Sequence, residues 1–140
     1  MNKHIHEVLL AEDDEDDVVM FVEAVRTGPV KIELRVARDG IEAIRLSKEH
    51  ASSLDLVILD LNMPRATGFE VLDDIRRDSK LDLIPVIIFT NSQTPADALR
   101  AYRSGANCFV TKPMGLEGFT ATVHCIERFW LSMVTLPPPH

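Results

Sequence analysis

The sequence predicts an α/β fold, a five-stranded parallel sheet with helices on both faces. Two observations carry this prediction. Segments with a strand pattern alternate with segments of helical period five times along the chain. Three of the strand segments, "VLLA", "LVIL" and "VIIF", are continuous apolar runs, the pattern of parallel strands covered on both sides. Right-handed crossovers between successive strands then distribute the helices over the two faces.

The strand candidates are residues 5–11, 31–37, 54–60, 85–90 and 107–111. Val18, Phe21, Val22 and Val25 fall at helical spacing and give a first helix, closed by Gly28-Pro29. Asp39-Gly40 opens a second helix that continues to Glu49, and Gly68 precedes a third carrying Val71, Leu72 and Ile75. "TPAD" at 94–97 reads as a capping box with proline at the first helical position, so a fourth helix runs to about Ser104 and stops at Gly105. A fifth runs from Leu116 past Trp130, with residues 137–140 as a stiff proline-rich tail. At 140 residues the chain reads as one domain, 1–136, with an extended last helix.

Composition removes several classes of function. A formal net charge of −7 disfavours nonspecific nucleic-acid or anionic-membrane partners. No apolar run approaches a membrane span, and "MNKHIHEVLL" is a poor secretory signal, so a cytoplasmic protein is expected. Cys108 and Cys125 form no paired motif and read as reduced, mostly buried thiols.

Ligands of such sheets sit outside the carboxyl ends of the strands. That rule selects Glu12 and Asp13, Asp60, Thr90 and Lys112. If the first and third strands are neighbours, Glu12, Asp13 and Asp60 converge. Two charges ~4 Å apart repel by roughly 4 kcal/mol at a surface-like dielectric. Three carboxylates must therefore share protons or hold a cation. An all-oxygen set with open positions suits Mg²⁺. Asp14, Glu15, Asp16 and Asp17 are explained by the dipole of the helix they begin.

"LLAEDD", "VILDLNMPRATGFE", "IIFTNS" and "VTKP", in order and at plausible spacing over about residues 5–127, resemble the signatures of the response-regulator receiver domain. The resemblance implies the (βα)5 flavodoxin-like receiver fold and a switch phosphorylated by a histidine kinase. It implies that Asp60 accepts the phosphoryl group and that Asp13 binds Mg²⁺. Glu12 assists through water or orientation, and Asn62 gives its backbone carbonyl. Thr90 bonds the phosphoryl oxygens and Lys112 pairs with them, turned inward by a cis bond to Pro113. Phe109 stands where an aromatic swings inward with the threonine, remodelling the face of the fourth helix, fifth strand and fifth helix. Asn91 replaces the small residue commoner after the threonine, which narrows access for small phosphodonors.

Two other readings compete with the switch. A magnesium-dependent phosphohydrolase also uses a strand-end aspartate, but its usual second aspartate is here Asn62, and no nucleotide loop is present. An unphosphorylated adaptor would not need Glu12, Asp13, Asp60, Thr90 and Lys112 together. With no output domain read in the sequence, the switch would act through an unknown downstream protein. "ERFWLSMVTLPP" resembles the end of regulators paired with phytochrome-type kinases. The apolar surplus at Phe129, Trp130, Leu131 and Met133 predicts a homodimer through the end of the fifth helix. His4 and His6 read as solvated terminal residues, and His50 and His124 as surface or boundary positions.

Overall fold

The computed structural model describes residues 5–138. The chain forms β1 (His6–Ala11), α1 (Glu15–Arg26), β2 (Ile32–Ala37), α2 (Gly40–Glu49) and β3 (Leu56–Leu59). It continues through α3 (Gly68–Arg77), β4 (Val86–Thr90), α4 (Pro95–Arg103), β5 (Cys108–Thr111) and α5 (Leu116–Arg128). All five strands are parallel, in the order β2-β1-β3-β4-β5.

Alternation along the strands divides the core into two layers. Leu9, Ala11, Val57, Leu59, Val86 and Ile88 pack with Val71, Leu72 and Ile75 of α3 and Ala43 of α2. Val8, Leu10, Leu56, Ile58, Ile87 and Phe89 pack on the opposite face with Phe21 of α1 and Phe119, Val123 and Ile126 of α5. Burying each large aliphatic or aromatic side chain contributes about 1.5–3 kcal/mol. Phe21, Phe89 and Phe119 form a triangle with ring centroids 5.2–6.5 Å apart, tying α1, β4 and α5 together.

Helix starts follow the sequence signals, with one difference. Asp14, Asp39, Thr67 and Thr94 each accept a hydrogen bond from the backbone N–H three residues on. The reciprocal capping box predicted at "TPAD" occurs instead at Thr67–Glu70. Asp97 turns its carboxylate to Ser92 Oγ, 2.6 Å away, and so latches the β4–α4 loop. On α1 the buried face is Val18, Phe21 and Ala24, and Val22 is exposed.

The C-terminal end corrects the sequence reading. The stripe Phe119, Val123, Ile126 would continue in α-geometry to Trp130. Instead, Phe129–Met133 form a π-helical turn, and Val134 N–H donates to Phe129 O, five residues back. The extra residue in the turn brings Leu131 into the core at 7% exposure, while Trp130 is only half-buried. Leu131 therefore leaves the predicted dimer patch, where Phe129 and Met133 stay 49% and 75% exposed. Leu116, the first residue of α5, is also exposed. The chain then turns back, and Leu136, Pro137 and Pro138 line a cavity with the α2–β3 and α3–β4 loops.

Candidate functional site

The carboxyl ends of β1, β3, β4 and β5 deliver the site. Glu12 and Asp13 follow β1, with Glu12 N–H bonded to Ala37 O at 2.9 Å. Asp60 follows β3, and its N–H reaches Ala11 O at 3.0 Å. Thr90 ends β4, and Lys112 follows β5 with its N–H 2.7 Å from Thr90 O. These ladder-like bonds hold the backbones in register, so the side chains converge without relying on loop conformation.

Gly68 sets the position of Asp60 from below. A Cβ at Gly68 would lie 2.2 Å from Asp60 O and 2.7 Å from Leu61 Cα, too close for any side chain. With glycine there, α3 begins directly against the backbone that carries the acceptor, and Gly68 N–H bonds Leu61 O at 2.9 Å.

Lys112 is buried, and its Nζ is shared among three carboxylates: Glu12 Oε1, Asp17 Oδ2 at 2.7 Å and Asp60 Oδ2 at 3.1 Å. Burial alone would lower the lysine's pKa. The bonds it donates to Asp17 and Glu12 and the charge of Asp60 outweigh it and hold the ammonium above its ordinary value. Glu12 is pushed up to about 8, first by burial and then by the charge of Asp60, with Lys112 opposing. Three carboxylates thus bond one ammonium, and burial makes Glu12 resist ionising.

Glu12, Asp13 and Asp60 each offer a carboxylate oxygen, and these atoms lie within 4.8 Å of one another. The donor set is all oxygen and Asp13 is open to solvent, which fits a hard divalent cation that keeps waters. Asn62 is exposed, and its N–H approaches Asp60 Oδ1 at 3.4 Å. Thr90 is fully buried, its Oγ1 accepting from Ser92 N–H at 3.4 Å. Phe109 is half-buried against the α2–α4 layer, and its N–H donates to Tyr102 Oη at 3.2 Å. Asn91 is exposed.

Several expectations change. The described residues contain no cis peptide bond, and Lys112 turns inward from a trans link to Pro113, the isomer ordinarily preferred before proline. Asp17, expected only to complement the α1 dipole, bonds Lys112 directly. The sequence held a signal for it: Asp17, Phe21 and Ala24 fall at i, i+4 and i+7, so Asp17 heads the buried stripe of α1. His6 is buried with Nδ1 3.7 Å from Asp55, because it starts a central strand; His4 lies outside the described residues. His50 and His124 are partly buried. Cys108 is half-buried and Cys125 exposed, rather than both buried. No helix among the described residues is long and apolar enough to cross a membrane.

With this geometry in view, comparison with known proteins is specific. The response regulator receiver domain family matches residues 8–124. Response regulator Rcp1 of Synechocystis is 36% identical over 135 residues, covering 93% of this chain and 92% of that protein. The crystal structure of the Mn(2+)-bound form of Rcp1 superimposes with a TM-score of 0.86 at 35% identity, over 94% of this chain and 99% of the other. The phosphorylated cyanobacterial phytochrome response regulator RcpA gives 0.89 at 36% identity, over 94% and 98%.

Proposed function

This chain belongs to the response regulator receiver family, and from that premise we propose that it is a switch phosphorylated on Asp60 by a histidine kinase. The observation that carries the proposal is the grouping of buried Asp60 with Lys112, Glu12 and Asp13 at the strand ends. In the transfer, an Asp60 oxygen attacks the phosphorus of a phosphohistidine, the P–O bond forming as the P–N bond breaks. The donor phosphohistidine carries a proton on its other ring nitrogen, so the imidazole leaves as a neutral ring with the P–N electron pair. Lys112 supplies fixed positive charge to the transferred group, and Thr90 supplies a hydroxyl from the neighbouring strand. A cation, which we assign as Mg²⁺ on Glu12, Asp13, Asp60 and the Asn62 carbonyl, would neutralise charge on the phosphoryl oxygens.

Members of the family are generally not enzymes acting on other substrates; here the chain would catalyse only its own phosphorylation and dephosphorylation. The added charge of about −1.5 to −2 at Asp60 would draw Thr90 toward it. Phe109, one strand over, would then shift against α4. The face of α4, β5 and α5 exposes Leu99, Tyr102, Met114 and Leu116, enough apolar surface for a downstream protein to read. Likeness to the phytochrome response regulator RcpA supports a phytochrome-type kinase as the donor. The exposed Phe129 and Met133, with half-buried Trp130, support a homodimer through the C-terminal turn. Two free thiols accord with a cytoplasmic setting.

The test is phosphotransfer from a labelled phytochrome-type kinase with Mg²⁺. Acid-stable, base-labile label that vanishes in Asp60→Asn is expected. Label persisting in that variant, or many turnovers of a small phosphate ester, overturns the assignment.

A further inference from the structure

Asp17 is the one carboxylate bonded to Lys112 that stands outside the Glu12–Asp13–Asp60 group. An ammonium has three donors, and Glu12, Asp17 and Asp60 occupy all of them. A phosphoryl group on Asp60 needs at least one, so some carboxylate must let go. Glu12 and Asp60 can turn to a cation. The Asp17 carboxylate bonds nothing but Lys112 among the described residues.

Its placement is firm. Asp17 is the third residue of α1, and helical side chains lean toward the N-terminus, which here faces the crevice. Its backbone N–H is held by Asp14 Oδ1 at 3.1 Å, and its side chain is only 16% exposed, so water screens it weakly. Resting on the reading of Asp60 as the acceptor, we infer that Asp17 is a positioning residue that competes with the phosphoryl group for Lys112. It therefore weakens the phosphorylated state in two ways. It keeps one lysine donor occupied, and it places a fixed negative charge beside an arriving anion.

Asp17→Asn is close to isosteric and leaves the backbone bond to Asp14 intact. In saturating Mg²⁺, fluoroberyllate, a phosphoryl mimic, should bind the variant about three- to tenfold more tightly than wild type. The acyl phosphate should live longer by a similar factor. Mg²⁺ alone should bind more weakly, because a negative charge near the acidic group is gone. Those opposite signs separate this role from a structural one, since a loosened α1 would weaken both ligands. Asp17→Glu should return fluoroberyllate affinity toward wild type. Equal or weaker fluoroberyllate binding by Asp17→Asn, with wild type binding normally, overturns the inference. A wild type that takes no fluoroberyllate, or an Asp60→Asn variant that takes it equally well, overturns the acceptor reading beneath it.

Discussion

Glu127, on the last turn of α5, is 2% exposed, and neither carboxylate oxygen has a hydrogen-bond partner among the described residues. It lies under the α1–β2 loop. A Cβ added to Gly28 would meet its oxygens at 2.5 and 2.7 Å, so glycine makes the room the carboxylate occupies. Burial pushes Glu127 up to about 7 from an ordinary 4.5; the nearby Val30 N–H, which makes no well-formed hydrogen bond to it, and the Arg128 charge pull back only part-way. That difference is worth about 3 kcal/mol at 1.36 kcal/mol per pH unit. The sign follows from which state holds the proton. Below pH 4.5 both states are protonated and nothing is lost. As pH rises toward 7 the unfolded chain releases its proton while the folded chain keeps it, and stability falls. Above 7 the folded chain carries the buried charge and the loss is complete.

Glu127→Gln removes the titration and keeps the shape. A buried amide has its own unpaired-group cost of about 1–3 kcal/mol, but that cost does not change with pH. The informative quantity is thus the variant's stability minus wild type's, compared between about pH 8 and about pH 4.5 by urea unfolding. It should be more favourable to the variant at the higher pH by about 3 kcal/mol. The two proteins differ only in this side chain, so every other pH-dependent contribution largely cancels in the comparison. Parallel pH profiles for the two proteins would refute the reasoning.

Two further outcomes are expected. Millimolar Mg²⁺ should raise the melting temperature of wild type, because a ligand that binds only the folded state stabilises it; Asp13→Asn should abolish the rise, and a wild type indifferent to Mg²⁺ rules out the metal site. Sedimentation should find a dimer that Phe129→Ala with Met133→Ala dissociates, since both side chains are exposed. Leu131→Ala is the wrong probe, because emptying a buried leucine site costs about 2–5 kcal/mol of folding stability by itself. A wild type that remains monomeric at tens of micromolar, with or without fluoroberyllate, rejects the interface.

The sheet and most of the site were legible because both depend on short-period patterns. Strands covered on two faces must be apolar throughout, which "VLLA", "LVIL" and "VIIF" show without ambiguity. The charged and hydroxyl residues that immediately follow or end such runs can only emerge at one rim of a parallel sheet. That placed Glu12, Asp13, Asp60, Thr90 and Lys112 together from sequence alone. Asp17 was hidden by its neighbours: among six consecutive acids, its position at the head of the Phe21–Ala24 stripe carried no distinguishing chemistry.

The packed face of α5 differs from its apolar sequence pattern because of Glu127. The buried residues Phe119, Val123, Glu127 and Leu131 step by four, with Ile126 beside them. A glutamate in that row gives it a solvent-facing pattern in sequence, whereas Ile126 and Trp130 form an uninterrupted apolar alternative that excludes Leu131. The fold tolerates the glutamate because Gly28 opens a space for its carboxylate, and the π turn directly after it keeps Leu131 on the core side. Burial of Glu127 and of Leu131 are therefore two parts of one arrangement. If so, their effects should not be independent: residues that share one packing arrangement show coupling of about 0.5–3 kcal/mol in double-mutant cycles. Glu127→Gln should change the cost of Leu131→Ala by an amount in that range at about pH 8, where the carboxylate is charged. Strict additivity there would mean that the π turn holds Leu131 in place without any help from the segment beneath the α1–β2 loop.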